Sequence, residues 1–424
     1  MLLKYLKILS KRNFFLLWFG QIISQFGDRL TQIALIGLVS RASLSSSRLA
    51  FVMSLTIIPV FIISPISGVY IDRWNKRKTM YISDFLRGIF MLLIPFFFLR
   101  FNSFIPIYLF IFLSFSSGRF FIPAKMAFIP EISPKKNIFL ANSLISVTAT
   151  AAAAIGFGVG GIIVEKYGVT TAFTMDACTF FISALAIFFI TASTKGKFLV
   201  QDILHIGQDV VHNVQKSFIW EFKQGVKYIF NSQETKYAFK IFFFLFSYIG
   251  GLYVVFIRFI QEVLSSITKD LGFITVSIGA SIFLGSLIYG RIAHKFSIKK
   301  VMNLSVLLSS IYLVFFAVFL KAHPQALYAI SLAFILGLLI SPVFVGVNSL
   351  IHKESDQNLL GRIFSGLEFI SHLGFLISMF IFSFLADIFS PFTIVAAIGI
   401  IGAFVSILFV FGDDKNRRAQ TTSA

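Results

Sequence analysis

The sequence predicts an all-α polytopic membrane protein with twelve transmembrane helices in two six-helix, pseudo-symmetric bundles. Three observations support this fold class: the composition, a series of long apolar segments, and the placement of the basic residues. Of the 424 residues, 57% are hydrophobic and only 13% are charged, and the mean hydropathy is +0.88. Soluble domains carry about 25% charged residues. Most of the surface must therefore face lipid, which leaves transporters, channels and membrane-embedded enzymes as function classes.

Twelve apolar segments follow one another along the chain, each near the roughly 20 residues that cross about 30 Å of hydrocarbon. A polar stretch separates the sixth segment from the seventh. The predicted domains are a six-helix bundle at 1–194, a cytoplasmic amphipathic linker at 195–236, and a second six-helix bundle with a short basic tail at 237–424. The predicted spans are 14–38, 49–71, 79–99, 105–123, 141–164, 170–192, 237–260, 270–291, 301–320, 325–350, 363–388 and 391–411.

The net charge of +19 is distributed unevenly between the two sides of this predicted topology. With the N-terminus inside, 27 of the 37 basic residues fall in cytoplasmic segments and seven in outer loops. Basic residues collect in cytoplasmic loops of membrane proteins. The pattern therefore predicts that both termini are cytoplasmic. It also accounts for the positive net charge without a nucleic-acid partner. The linker, which alternates apolar and basic residues, is expected to lie on the inner membrane surface.

The two predicted halves share a sequence pattern. A stretch beginning at Gly68 follows span 2, and a similar stretch beginning at Gly290 follows span 8, with a basic residue, an aromatic residue and a basic pair at matching places. His294 stands in the second copy where Asp72 stands in the first. Parallel halves of this kind are typical of transporters whose binding site lies between the halves near the midplane.

The Gly68 stretch resembles the signature loop of the major facilitator superfamily (MFS), through Gly68, Asp72, Arg73, Arg77 and Lys78. Several further stretches resemble the branch that contains macrolide-efflux and enterobactin-exporter proteins. They are Gln25-Phe-Gly-Asp28, Asp84-Phe-Leu-Arg87-Gly, Pro123 to Glu131 leading into Ala141-Asn142-Ser143-Leu144, Met175-Asp176-Ala, and Gly361-Arg362. The resemblance covers nearly the whole chain. It implies a bacterial inner-membrane transporter with alternating access, in which the Gly68 loop latches the outward-facing state.

Charged residues within spans are costly and are functional candidates for that reason. Asp28 in span 1 is a candidate for proton coupling, with a structural hydrogen bond as the alternative. Arg119 in span 4 is a candidate for substrate contact or coupling. Asp176 in span 6 is either a coupling residue or a solvated residue at a helix start, and Asp84 with Arg87 in span 3 is interpreted as an intrahelical pair. Glu368 and His372, four residues apart in span 11, form a possible proton-responsive pair or a structural contact.

Small residues in span 5 predict close helix packing. Ala152, Gly156 and Gly160 fall on one helical face, with Gly161 beside them, so that a partner helix can approach backbone to backbone. Their spacing resembles the antiporter motif of MFS exporters, although Phe157 stands where that motif has proline. The single cysteine, Cys178, excludes an internal disulfide and is interpreted as a packing residue in an apolar run.

Taken together, these features predict a proton-coupled exporter of small amphipathic molecules, of the drug, macrolide or siderophore type. The alternatives are a transporter of a lysophospholipid or metabolite on the same fold, or a channel or membrane enzyme. The sequence has no Walker loop, no His-Glu-x-x-His motif and no serine elbow, which disfavours ATP drive and hydrolysis. We expect no enzymatic activity, no cofactor and no metal. The expected partners are a small-molecule substrate, protons and the lipid bilayer, and the protein is expected to be a monomer.

Overall fold

A computed structural model describes residues 2–71, 74–101, 104–133, 137–191, 233–292, 296–354 and 360–421, and these residues form α-helices joined by short connections. The first eight helices are α1 (Leu2–Leu9), α2 (Arg12–Ala42), α3 (Ser46–Ile62), α4 (Ser64–Ile71), α5 (Lys76–Phe101), α6 (Ile105–Ile132), α7 (Ile138–Tyr167) and α8 (Val169–Phe188). After the linker come α9 (Gln233–Leu264), α10 (Lys269–Ile292), α11 (Ile298–Ala322), α12 (Ala326–Glu354), α13 (Leu360–Ile388) and α14 (Pro391–Thr421). Most of the predicted linker lies outside the described residues.

Ten of the described helices are long and apolar enough to cross a membrane, namely α5 to α14. They correspond to predicted spans 3 to 12. The first two predicted spans differ from the others. Helix α2 has 31 residues, but polar residues such as Gln25, Asp28 and Gln32 lower its hydropathy. Predicted span 2 is divided at Ile63 into α3, of 17 residues, and α4, because Pro65 has no N–H group to continue the helical hydrogen-bond ladder.

The chain folds as two compact units. Unit 1 comprises Met1–Ala42 and Phe51–Ile219, and unit 2 comprises Ser43–Ala50 and Trp220–Ala424. In unit 1, α2 packs against α7 and α8, and α5 packs against α6 and α8. A buried apolar cluster joins the starts of α2 and α5 to the ends of α6 and α8, with Phe14, Met80, Phe128 and Ile187 fully buried. Thus α2, α5 and α8 share one interior.

In unit 2, α9 packs against α13, α10 against α12, and α11 against both α12 and α14. Small residues permit some of these approaches: a Cβ atom on Gly250 of α9 would lie 2.6 Å from Cα of Phe375 in α13. Asn303 of α11 accepts a hydrogen bond from Tyr237 of α9 at 2.7 Å, and its carbonyl oxygen accepts one from Ser406 of α14 at 2.9 Å. These hydrogen bonds therefore join α9, α11 and α14. In lipid, such bonds contribute to helix association because the hydrophobic effect does not drive it.

Cys178 is exposed on α8, so its interpretation as a buried packing residue is wrong. Residues two apart on a helix point about 200° from each other. Since Asp176 faces the interior of unit 1 at 0% exposure, Cys178 is directed outwards.

Gly156 lies where α7 meets α2. A Cβ atom at Gly156 would lie 2.7 Å from the backbone oxygen of Phe26 and 2.9 Å from Cβ of Arg29, whereas a Cβ atom at Gly279 of α10 would meet nothing within 4 Å. We expect Gly156→Ala to lower the free energy of unfolding by about 1–3 kcal/mol through overpacking. Gly279→Ala should leave stability unchanged or raise it, because alanine favours the helix. Thermal unfolding in detergent measures both variants, and equal midpoints would contradict the packing described.

Candidate functional site

Unit 1 contains a group of charged side chains in its interior, which we call the acid cluster: Asp28 of α2, Asp84 and Arg87 of α5, and Asp176 of α8. Asp84 and Asp176 are at 0% exposure and Arg87 is at 7%. The three helices each place polar residues three or four positions apart on the face that meets the other two. The acid cluster therefore forms where the polar faces of α2, α5 and α8 meet.

Asp28 and Arg87 form an ion pair through Oδ1 of the aspartate and a terminal nitrogen of the guanidinium. The Arg87 side chain is 9% exposed and the Asp28 side chain is 16% exposed. The guanidinium carbon also lies 4.0 Å from the centre of the Phe180 ring, in a cation–π contact. Arg87 thus spans from α5 to α2 and lies over α8, and its charge is compensated mainly by Asp28.

Asp84 is the second carboxylate near Arg87. Its Oδ2 accepts a hydrogen bond from Ser183 of α8 at 2.6 Å, and its Oδ1 lies 3.9 Å from the other terminal nitrogen of Arg87. The intrahelical pair predicted for Asp84 and Arg87 is present at this longer distance, but the closer partner of Arg87 is Asp28. Arg87 therefore has one carboxylate in direct contact and a second within reach.

Asp176 binds hydroxyl groups rather than a cation. Oδ2 accepts a hydrogen bond from Thr31 of α2, and Oδ1 accepts one from Thr179 at 3.1 Å. Because Asp176 is fully buried, the alternative of a solvated residue at a helix start is wrong. Position along the chain places Asp176 near the N-terminal end of α8, but only the fold shows that α2 covers it there.

Glycines let the helices approach closely around the acid cluster. A Cβ atom at Gly27 of α2 would collide with Asp176 and Thr179, and one at Gly118 of α6 would lie 3.3 Å from the guanidinium carbon of Arg87. One at Gly20 would lie 3.0 Å from Oγ of Ser183. The polar side chains of the site therefore lie directly against the backbone of the neighbouring helix at these three glycines.

The acid cluster contains more acidic than basic groups. It contains three carboxyl groups and one guanidinium in an apolar interior, where unpaired charges are costly. Lys125 of α6 is near enough to interact electrostatically with Asp28 and Asp84. A carboxyl group that binds a proton in such a place loses its charge, and the excess of negative groups over nearby cations becomes smaller. Within the described part of the chain, no three histidine, cysteine, aspartate or glutamate side chains are grouped to hold a metal ion.

The predicted gating loop is described in part. Gly68 lies in α4, Asp72 and Arg73 lie outside the described residues, and Arg77 and Lys78 lie in the first turn of α5. The Arg77 guanidinium donates a hydrogen bond to the carbonyl oxygen of Ile190, just beyond α8. Arg77 thus supplies a hydrogen-bond donor at the C-terminal end of α8, where the last carbonyl groups have no partner within the helix.

The remaining predicted residues belong to helices other than α2, α5 and α8. Arg119 is half-buried on α6, directly after Gly118. In unit 2, Glu368 is exposed on α13 and His372 is half-buried. His372 donates from Nδ1 to the backbone carbonyl oxygen of Glu368 at 2.8 Å, since a carbonyl oxygen only accepts.

Gly156 and Gly160 of α7 lie against α2, next to Asp28. A Cβ atom at Gly156 would meet the backbone at Phe26, and one at Gly160 would lie 3.1 Å from Leu30. Gly161 is buried beside them. Since Phe26 and Leu30 flank Asp28 by two residues on each side, these glycines fix the height and rotation of the helix that carries the aspartate.

Three hydroxyl residues of the site, Thr31, Thr179 and Ser183, were not predicted from the sequence. Their spacing gave a usable signal: Thr31 is three residues after Asp28, Thr179 is three after Asp176, and Ser183 is four after Thr179. Polar residues at such spacing share one helical face. The signal does not reveal which stripes face one another, and the ion pair between Asp28 and Arg87 could not be predicted from it.

Comparison with known proteins shows that this chain is similar to membrane transporters. The model of a family described as transmembrane secretion effector matches residues 5–341. The MFS-type transporter YkuC of Bacillus subtilis is 24% identical over 370 residues, which is 85% of this chain and 82% of YkuC. The multi-drug resistance efflux pump PmrA of Streptococcus pneumoniae is 23% identical over 374 residues, or 86% of each protein. The putative bacilysin exporter BacE of Bacillus subtilis is 29% identical over 221 residues, 52% of this chain and 51% of BacE.

Solved structures show the same fold at low sequence identity. A POT family transporter in complex with a thioalcohol-conjugated peptide aligns with a TM-score of 0.69 and 12% identity, covering 95% of this chain and 96% of that one. The nucleoside transporter NupG aligns with a TM-score of 0.70 and 13% identity, covering 93% and 98%. These likenesses concern the fold alone.

A double-mutant cycle tests the ion pair. Asp28→Asn and Arg87→Gln each leave a buried partner poorly compensated, so we expect each to destabilise the protein and the pair to show a coupling energy of about 1–3 kcal/mol. Thermal or denaturant unfolding in detergent gives the four values needed. The control is the more exposed pair of Lys76 and Glu131, whose side chains are 18% and 28% exposed. Its coupling should stay below about 1 kcal/mol, and equal coupling in the two pairs would contradict the description of the acid cluster.

Proposed function

This chain belongs to the transmembrane secretion effector family of the MFS, and we propose that it is a secondary active, proton-coupled exporter of small amphipathic molecules. The family and the helices α5 to α14 make it a multi-pass membrane transporter. The direction of transport, the coupling ion and the class of substrate are the parts that we propose. We further propose that it works as a monomer in a bacterial inner membrane with both termini cytoplasmic.

Two relatives support export. PmrA is a multi-drug resistance efflux pump, and BacE is described as a putative bacilysin exporter. The match to PmrA extends over most of both proteins, so it includes residues from both units of this chain. A pump that handles several drugs must accept small organic molecules of differing shape, and a substrate of this general kind is what we propose here.

The ion pair between Asp28 and Arg87 is the observation that carries the proton-coupling proposal. When Asp28 is ionised, its charge compensates the guanidinium, and α2 and α5 are held together by an interaction in the apolar interior. When Asp28 takes up a proton, it becomes neutral and the interaction loses its Coulombic part. Arg87 then depends on Asp84, whose Oδ1 already lies 3.9 Å away. One proton therefore changes which helices the cation joins.

A change of this size can bias two conformations. Breaking a buried pair by removing one charge costs about 3–5 kcal/mol in soluble proteins, and a shift of about 5.5 kcal/mol takes a two-state equilibrium from 1:99 to 99:1. Protonation from the outside and deprotonation to the inside would thus favour opposite states of an alternating-access cycle. Substrate leaves the cell in the step that the inward proton drives.

The other acidic groups shape the same switch. Asp176 is held by Thr31 and Thr179 and adds negative potential beside Asp28. Asp84 offers Arg87 its second site. Outside the acid cluster, we propose that the loop containing Asp72 and Arg73 latches the outward-facing state, as the resemblance to the superfamily implies. We also propose that Arg119, Glu368 and His372 contribute to substrate contact or coupling.

An efflux assay tests the coupling. Asp28→Asn should abolish extrusion of a fluorescent amphipathic dye and of a macrolide from an efflux-deficient bacterium, because the amide cannot exchange a proton. Asp28→Glu should retain part of it. In the unsubstituted protein a protonophore should stop extrusion.

The matched control is Asp270→Asn, an acid in the first turn of α10 outside the acid cluster. Membrane level and monodispersity of each variant are measured alongside, so that misfolding is recognised. Protonophore-sensitive extrusion by Asp28→Asn at the rate of the unsubstituted protein would exclude Asp28 as the coupling group. Extrusion that ignores the protonophore in the unsubstituted protein would exclude proton coupling.

A further inference from the structure

Arg29 of α2 is a half-buried cation within the first predicted span. It comes 17 residues after Arg12, the first residue of α2, or about 26 Å along the axis at 1.5 Å per residue. In the described part of the chain, Arg29 forms no ion pair with a carboxylate. The adjacent Asp28 pairs with Arg87 instead. Arg29 therefore differs from Arg87, which has one carboxylate in contact and a second within reach.

The contacts of the Arg29 guanidinium are with neutral groups. Its Nη1 atom donates a hydrogen bond to Oε1 of Gln32 at 3.1 Å, and its central carbon lies 5.3 Å from the centre of the Phe157 ring of α7. An amide oxygen and an aromatic ring orient a cation but do not neutralise it. Among the described residues, the edge formed by Nε and Nη2 has no hydrogen-bond acceptor.

Helix α7 fixes the position of Arg29. A Cβ atom at Gly156 would lie 2.9 Å from Cβ of Arg29, so the two helices are in close contact at this level. Phe157, which follows Gly156, supplies the ring beside the guanidinium. Phe157 also stands where the exporter motif of the MFS has proline. The guanidinium is thus held in place by close packing and by a ring, while its charge is left to be compensated by another group.

Arg29 belongs to a polar face of α2. Gln25 is four residues before it and Gln32 is three residues after it, so the three side chains share one side of the helix. All three are partly exposed. Because charged and amide groups within a span are unfavourable against hydrocarbon, this face borders water. A dissolved molecule can therefore reach the guanidinium.

We propose that Arg29 binds the anionic group of amphipathic substrates, that is, a carboxylate, sulfonate or phosphate. The Nε and Nη2 edge of a guanidinium carries two parallel N–H groups, which match two oxygens of such a group. An anion also supplies the charge compensation that the protein does not. The proposal rests on the export function proposed above and names anionic amphiphiles as a substrate class. A phospholipid headgroup has the same chemistry, but it lies at the bilayer surface, whereas Arg29 lies near the middle of α2.

The first test needs no substrate. Removing a cation that the fold requires destabilises the protein, whereas removing one that is kept for a ligand does not. We expect Arg29→Gln to keep or raise the midpoint of thermal unfolding in a non-ionic detergent, and Arg87→Gln to lower it. The control is Arg100→Gln, at an exposed position in the last turn of α5, which should leave the midpoint unchanged. A fall for Arg29→Gln as large as that for Arg87→Gln would assign Arg29 a structural role and overturn the proposal.

The second test compares two probes that differ by one charge. Dansylaminoundecanoic acid is an amphipathic carboxylate, and its methyl ester has the same apolar part without the charge. Binding of each to the purified full chain is followed by dansyl fluorescence. We expect Arg29→Gln to weaken binding of the acid about tenfold or more and to leave binding of the ester unchanged. Arg29→Lys should give an intermediate loss, because lysine keeps the charge without the two-donor edge. Arg100→Gln should bind both probes as the unsubstituted protein does.

Equal affinity of the unsubstituted protein for the acid and the ester would overturn the proposal, as would equal losses of both on Arg29→Gln. The lipid alternative is tested in nanodiscs. Binding of the acid should be the same in phosphatidylcholine as in phosphatidylglycerol, and a loss in phosphatidylglycerol that disappears in Arg29→Gln would assign Arg29 to a lipid headgroup instead.

Failure of the export function has a different signature. If the unsubstituted protein extrudes neither the dye, the macrolide nor the dansyl acid from cells, the export proposal fails. The difference in binding between the acid and the ester, and its dependence on Arg29, still decides whether this residue binds an anion.

Discussion

The cost of an unpaired charge in an apolar interior is the constraint on which unit 1 depends. Arg87 sits among α2, α5, α6 and α8, where a guanidinium without a counter-charge would be highly unfavourable. Asp28 supplies the counter-charge from one helix, Phe180 covers the cation from another, and Gly118 lets α6 approach it. Four helices therefore meet around one cation, and each contributes to its surroundings. The proton coupling proposed above depends on this same ion pair between Asp28 and Arg87.

Much of the fold could be predicted from the sequence because membrane spans are encoded locally. Predicted spans 3 to 12 each overlap a described helix, since length and hydropathy alone determine whether a segment can cross a bilayer. The first two spans are harder to predict for physical reasons. Helix α2 carries the polar residues of the site and so has less apolar character, and Pro65 divides span 2 into α3 and α4. Polar residues of the site therefore lower the hydropathy of span 1, and a proline interrupts the helix of span 2.

The site could be predicted only as separate residues. Asp28, Asp84, Arg87 and Asp176 stand out as charges within spans, but their mutual contacts depend on helix rotation and on which helices are neighbours. Asp84 and Arg87 look self-sufficient because they are three residues apart, whereas the structure gives Arg87 a closer partner 59 positions away. The hydrogen bond from Ser183 to Asp84 carries no comparable signal, because the two residues are 99 positions apart. Long-range polar contacts of this kind leave no periodic pattern in the sequence.

Gly27 has a consequence for how such a protein can change over time. Its missing side chain brings α2 against the carboxylate of Asp176 and the hydroxyl of Thr179. Any larger residue at Gly27 would displace the Asp176 carboxylate, which contributes to the electric potential at Asp28. A change in helix packing at this position would therefore also change the electrostatics of the acid cluster. A lineage that adapts to new cargo would have to do so elsewhere, on helix faces turned away from the acid cluster, while this contact is inherited unchanged.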